Sequence, residues 1–281
     1  MIDLRVVNGF LPFIASWLRG NEVTFEERGP LKIKAALAAS FTPDDIDDLL
    51  DVPENTMAII PIKGEMLKYD SLCSHGSMSI AGLMSVAAMS KNVAGVVLDV
   101  DSPGGSVNAI PPIVDAIRLL QGANKPVVVH GDLVASAALY ASVFADYIIA
   151  DNELSSEFGS IGVMVQFEDF TKYFEKEGVK VHTVYAPEST HKNAEFEEAL
   201  KENYKPLQEN ILSPLAVQFQ RAVVSRRGNK LNMSEEGLLT GKMFFGGDAV
   251  RNGLADSTGN LYKSVEMAYA LAERNRFMKN R

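Results

Sequence analysis

The chain is short of cysteine, of positive charge and of long apolar runs, and each shortage excludes something. Its one cysteine, Cys73, rules out an internal disulfide framework and reads as a small buried filler. Lys and Arg number 27 against 36 Asp and Glu, a formal charge of −9. No nucleic-acid partner is expected, because phosphates select a basic face. No low-complexity tract and no period of roughly 20–50 residues interrupts the chain. Val6 to Leu18 comes nearest to a membrane segment, but Asn8, Gly9, Pro12 and Ser16 break it. It falls short of the ~20 apolar residues of a spanning helix. It also lacks the basic start and small-residue cleavage site of a signal peptide. It reads as a short amphipathic helix docking on the body or on another subunit, and a cytoplasmic setting with no membrane span is expected. His, Cys and acidic residues show no metal-ligand spacing, so neither metal nor cofactor is expected.

What the chain does have is the make-up of a globular protein, 47% hydrophobic and 22% charged over 281 residues. That length buries roughly three quarters of the unfolded surface without staples. Thr42-Pro43-Asp44-Asp45 reads as a helix start, with a capping threonine, a first-turn proline and acids at the positive end of the dipole. The acidic run to Asp51 is interleaved with Ile46, Leu49 and Leu50, which makes it a solvated helix face. Residues 1–55 thus read as a helical N-terminal extension, 56–260 as the body and 261–281 as a C-terminal helix.

The body alternates. Met57 to Ile62, Ala94 to Val100, Val127 to His130, Tyr147 to Ala150 and Val179 to Tyr185 read as strands. Ser79 to Ser90, Val107 to Leu120, Ser136 to Ala145 and Phe167 to Lys176 read as helices. This rhythm predicts an α/β fold with mostly parallel strands and crossover helices on the faces. Ala194 to Arg227 reads as helix, broken at Pro206 and Pro214.

Four stretches could carry chemistry. Asp101-Ser102-Pro103-Gly104-Gly105-Ser106 joins a strand to a helix, where glycine amides can face an oxyanion or a phosphate. The bland alternative is a tight turn, and the dinucleotide and P-loop spacings are missing. Ser136 stands among small residues at the next strand-to-helix turn. It is either a helix cap or a nucleophile whose oxyanion the helix dipole favours. Gly159-Ser160-Ile161-Gly162-Val163 taken alone is a turn. Thr190-His191-Lys192-Asn193 carries a lysine that is either a solvated charge or the base a serine needs, with His191 as its rival. His75 lies in a polar stretch, His182 inside an expected strand, and His130 before the serine turn, where it fills the sheet edge.

Taken in order, DSPGGS, the Ser136 context A-S-x-x-x-Y, GSIGV and the downstream lysine resemble the signal peptide peptidase A (SppA) family of Ser–Lys peptidases. That family lies within the ClpP/crotonase superfamily. Arg221 to Arg227, Leu239-Thr240-Gly241 and Gly253-Leu254-Ala255-Asp256 extend the likeness over residues 55 to 260. The resemblance implies a ClpP/crotonase-like repeated β-β-α sheet with flanking helices. It implies that Ser136 is the nucleophile, Lys192 the general base, and Ser160 the hydroxyl that orients the lysine. Gly105, with Gly104, would form the oxyanion hole. The chain departs from the family at Ala137 and Ala138, where two glycines are usual, and at Asn193, where aspartate is usual. A lysine with the ordinary pKa of ~10.4 is no base at neutral pH, so the role requires burial of the amine.

The implied function is a serine endopeptidase acting on peptide or protein substrates as a homo-oligomer. The His-Lys-Asn context and the absence of an anchor lean towards bacteriophage head-maturation proteases, working in the host cytoplasm or the prohead on capsid or scaffold proteins. An SppA-like signal peptide hydrolase is the alternative. A crotonase-like acyl-CoA enzyme and a catalytically inactive capsid-assembly or scaffolding subunit are the alternatives of other classes.

Overall fold

The computed structural model describes residues 38–71 and 74–279. The expectations for Val6 to Leu18 and for Cys73 lie outside the described residues. Ala38–Ser40 (β1), Thr56–Lys63 (β2), Val93–Ser102 (β3), Val127–Ala135 (β4) and Tyr147–Ala150 (β5) lie side by side in chain order, every pair parallel. Glu157–Gly159 (β6) pairs with β4, and Met243–Phe245 (β7) runs antiparallel to β6. Ser257–Thr258 (β8) closes the edge beyond β5. A mainly parallel sheet with flanking helices is the α/β arrangement expected of the ClpP/crotonase likeness.

Two expectations about elements differ. β1 lies inside the stretch read as a helical extension. Its Ala-Ala-Ser sequence carries no β signal, and pairing with β2 alone makes it a strand. Val179 to Tyr185 is not a strand. It is irregular, with Val181 75% and Val184 90% exposed. β-branched residues favour a strand only where a half-buried surface receives them, and this stretch has none.

Ser77–Met89 (α1) and Ile110–Gly122 (α2) cover one face of the sheet, where Leu83, Met84, Ile113 and Ile117 meet Ile60, Leu98 and Val129. Ala137–Ser142 (α3) follows β4 directly. Beyond the irregular stretch come Ala194–Leu200 (α4) and Ser213–Arg227 (α5), the latter packing Phe219 and Val223 into the same core. Pro206 and Pro214 both sit in first turns of helical segments, with a π turn over Gln208–Leu212 between them. The missing proline N–H explains the break in the ladder. Leu261–Lys279 (α6) covers the other face, setting Val265, Ala268 and Leu271 against Met57, Val97, Val128 and Ile149. Strands buried on both faces are written as apolar runs, which is why β2 to β5 are visible in the sequence.

β4 changes partners along its length. Val128 to Gly131 pair with β5, whereas Leu133 to Ala135 pair with β6. The sheet therefore divides just before Ser136.

The end of α5 is tied to the sheet by a buried ion pair. Arg227, 5% exposed, holds Asp256 with two hydrogen bonds of 2.9 and 3.0 Å and donates Nε–H to the Gly253 carbonyl at 2.7 Å. Asp256 also accepts from the Ile148 amide of β5 at 2.8 Å and from Lys230 at 2.6 Å. Burial acts to raise the Asp256 carboxyl, but the hydrogen bonds and charge of Arg227 outweigh it and hold the group below the usual carboxylate range. Removing one partner of a buried pair costs about 3–5 kcal/mol. Arg227→Met is expected to lose stability of that order in urea unfolding at pH 7. The depressed carboxyl contributes fully above pH ~4, the unfolded value, and its contribution is lost as pH falls through the lower folded value. The gap between wild type and variant should therefore narrow in acid.

Candidate active site

Three turns meet at the carboxyl end of the sheet. The first begins where β4 ends at Ala135. Ser136 turns the chain into α3 with φ +51° and ψ −120°, a backbone conformation that costs a non-glycine residue about 1–3 kcal/mol. Its amide donates to the Gly159 carbonyl at 3.0 Å, and its carbonyl accepts from the Tyr140 amide at 2.9 Å. Its hydroxyl makes no capping bond to α3, so the capping alternative does not describe what this serine does. A strained strand-to-helix turn that lifts a serine out of a sheet is the geometry of an exposed nucleophile.

The second turn leaves β3. Ser102 Oγ donates to the Gly64 carbonyl at 2.5 Å and accepts from the Gly104 amide at 3.2 Å. Gly104, at φ +95°, lies against the serine turn. A Cβ there would stand 2.7 Å from Ser136 Cβ and 2.8 Å from the Ala137 amide nitrogen, so only glycine lets the two turns touch. Met66 straps the far side of Gly105. Its amide donates to the Gly104 carbonyl at 2.8 Å, and its carbonyl accepts from the Ser106 amide at 2.9 Å. This parallel bridge uses the groups flanking Gly105 and turns the Gly105 N–H away from Met66. That N–H has no acceptor among the described residues, and Gly105 lines the same cavity as Ser136.

The third turn follows β6. Ser160, at φ +56° and 8% exposed, donates its amide to the Lys242 carbonyl at 3.2 Å and lines the cavity too. The cavity measures about 330 Å³. Tyr140, Leu215 and Phe219 give it an apolar wall, with the Tyr140 and Phe219 rings 5.2 Å apart. Among the described residues no Asp or Glu lines it.

The structure thus brings Ser136, Ser160, Gly105 and Gly104 together. It does not bring Lys192. That side chain is exposed, absent from the cavity lining, and carried on the turn before α4, where its amide donates to the Ser189 carbonyl at 3.1 Å. His191 beside it contacts Thr190 Oγ1 at 3.0 Å. His130 is held by Asp99 and Asp151, and His75 lies 3.5 Å from Asp44. One residue escaped the sequence reading. The Gly104 amide is taken by Ser102, whereas the Ala137 amide, first of α3, has no acceptor among the described residues. The signal was available, since the first N–H groups of any helix lack intrahelical partners. Among the described residues no His, Cys, Asp and Glu group is placed to hold a metal ion, and no helix is long and apolar enough to cross a membrane.

Residues 120–275, more than half of the chain, match Peptidase family S49. Protease 4 of Haemophilus influenzae is 31% identical over 233 residues, covering 82% of this chain and 36% of that protein. Protease 4 of Salmonella typhi is 28% identical over 221 residues, covering 78% and 35%. Capsid assembly protease C of Escherichia phage lambda is 27% identical over 138 residues, covering 47% and 31%. The chain spans about a third of the length of each of these relatives.

The strain at Ser136 is measurable. Ser136→Gly relaxes φ +51° and Ser136→Ala retains it, so the glycine variant should be the more stable by about 1 kcal/mol or more in thermal unfolding. Equal melting temperatures would remove the strain.

Proposed function

The chain belongs to peptidase family S49, and on that footing we propose that it is a serine endopeptidase with Ser136 as nucleophile and Lys192 as general base. The observation that carries this reading is the strained Ser136 turn, set in a cavity beside the unpaired Gly105 amide. Lys192 takes the Ser136 proton as Oγ attacks the peptide carbonyl. The amides of Gly105 and Ala137 receive the oxyanion, donors of a kind whose loss typically costs ~3 kcal/mol. The proton passes to the leaving amine. Water then attacks the acyl ester, giving its proton through Lys192 back to Ser136. The Ser160 hydroxyl orients the amine.

Lys192 must first reach the cavity. The exposed stretch around it carries Phe170, Tyr173, Val181 and Val184 open to solvent. Apolar area of that kind supports completion by a second copy, which would bury the amine as the base role requires. No acid among the described residues lines the cavity, which speaks against the acyl-CoA alternative, whose proton transfers need acids. We place the substrate among capsid and scaffold proteins. The likeness to Capsid assembly protease C of phage lambda supports this placement.

Wild type incubated with candidate capsid, scaffold and signal peptides should give discrete cleavage products by intact mass. Ser136→Ala and Lys192→Ala should each abolish them, and His191→Ala should leave them largely intact. Mixing the two inactive variants should restore part of the activity if the base comes from a second copy. Full activity in Lys192→Ala would overturn the base assignment, and an uncleaved panel with unreactive Ser136 would favour an inactive assembly subunit.

A further inference from the structure

We propose that a row of polar and charged side chains running from β2 to the residue just after β5, Lys63, Asp99, His130 and Asp151, sets the spacing between the Gly105 and Ser136 turns, making His130 a positioning residue. As a statement about catalysis this rests on the peptidase reading above. On the α6 side of the sheet, Val97, Val128 and Ile149 are packed in the core. Two residues further along each chain segment the same face turns polar, at Asp99, His130 and Asp151. His130 is 7% exposed, with Nδ1 3.0 Å from Asp99 Oδ1 and Nε2 3.1 Å from Asp151 Oδ1. Lys63 of β2 reaches Asp99 at 2.8 Å.

The placement of this row singles it out. Asp99 and His130 are register partners on β3 and β4. Gly105 and Ser136 each follow their member of that pair by the same number of residues. Lys63 ends β2, just before the Met66 strap on Gly105. Strands β2, β3 and β4 therefore contribute one member each, and Asp151 adds a fourth from the residue just after β5.

Stability alone does not account for the row. Its ends, Lys63 and Asp151, stay partly in water, where such pairs contribute little, and at the buried His130 well-packed apolar residues would generally serve as well or better. The apolar face immediately upstream shows that this sheet accommodates them. Burial would raise the Asp99 carboxyl, yet the His130 and Lys63 hydrogen bonds hold it below the usual range. Asp101 and Asp132 stand on the same face, and burial, with their mutual repulsion, pushes the Asp101 carboxyl up despite Lys63. What the row adds is direction. Carboxylates only accept, so both imidazole contacts are hydrogen bonds when the ring carries both protons. Such bonds weaken steeply with misalignment, whereas apolar contacts tolerate sliding. A misplacement of ~1 Å between reacting groups can cost ~100-fold in rate.

The test compares Asp151→Ala with Asp151→Asn, which keeps an acceptor for Nε2, and with His130→Val. Hydrogen–deuterium exchange is followed in peptides covering residues 103–106 and 135–140, beside fluorophosphonate labelling of Ser136 and kcat and KM on a peptide substrate. Asp151→Ala and His130→Val should speed exchange in both turns while α1 and α2 stay protected. They should lower kcat about tenfold or more with little change in KM, and Asp151→Asn should recover most of the loss. Unchanged exchange in both turns, or equal effects of the alanine and asparagine variants, would overturn the proposal. Should His130→Val fail to fold, the Asp151 pair decides. Should wild-type Ser136 prove unreactive, the peptidase reading falls, while exchange still decides whether the row holds the turns.

Discussion

Two backbone turns touch at the carboxyl edge of the sheet, and the site depends on nothing standing between them. Gly104 makes the contact, since the smallest side chain there would meet Ser136 Cβ at 2.7 Å. Parallel strands make such a meeting natural, because neighbouring strands deliver their exits to the same edge. The surrounding bonds serve that contact. Ser102 takes the Gly104 amide, Met66 straps the outer side of Gly105, and the Gly159 carbonyl holds the Ser136 amide. Among the described residues the Gly105 and Ala137 amides are then left without an acceptor.

The parts of the family likeness that lie far from Ser136 have another role. Arg227, Gly253 and Asp256 form a buried clamp between the end of α5 and β5. Because α5 also carries Leu215 and Phe219 into the cavity wall, the clamp fixes a wall of the site without taking part in chemistry. A Cβ on Gly253 would overlap the Lys230 carbonyl, which accounts for the glycine.

Strands β2 to β5 were legible because burial on both faces leaves no polar alternation to confuse them. β4 was legible only in part. It reads as ending at His130, yet it runs to Ala135, because pairing with β3 and β6 overrides the glycine and aspartate that follow. β1 was invisible, since three small residues carry no pattern of their own. The glycine pair and Ser136 stood out as small residues between an apolar strand and a helix. The Ala137 amide did not, because a backbone donor leaves no mark in residue type. His130 looked like filler, and its partners come from β3 (Asp99) and from just beyond β5 (Asp151), a relation that distance along the chain hides.

Lys192 lies outside the cavity, on a segment whose aromatic and branched side chains face solvent. Were the base supplied by a second copy, as proposed above, the site would answer to crowding. Its output would then fall faster than its abundance on dilution, so stray single molecules would do no damage. Gathered in a confined volume, the same molecules would switch on together, and the timing of cleavage would be set by where they accumulate rather than by any separate activating signal.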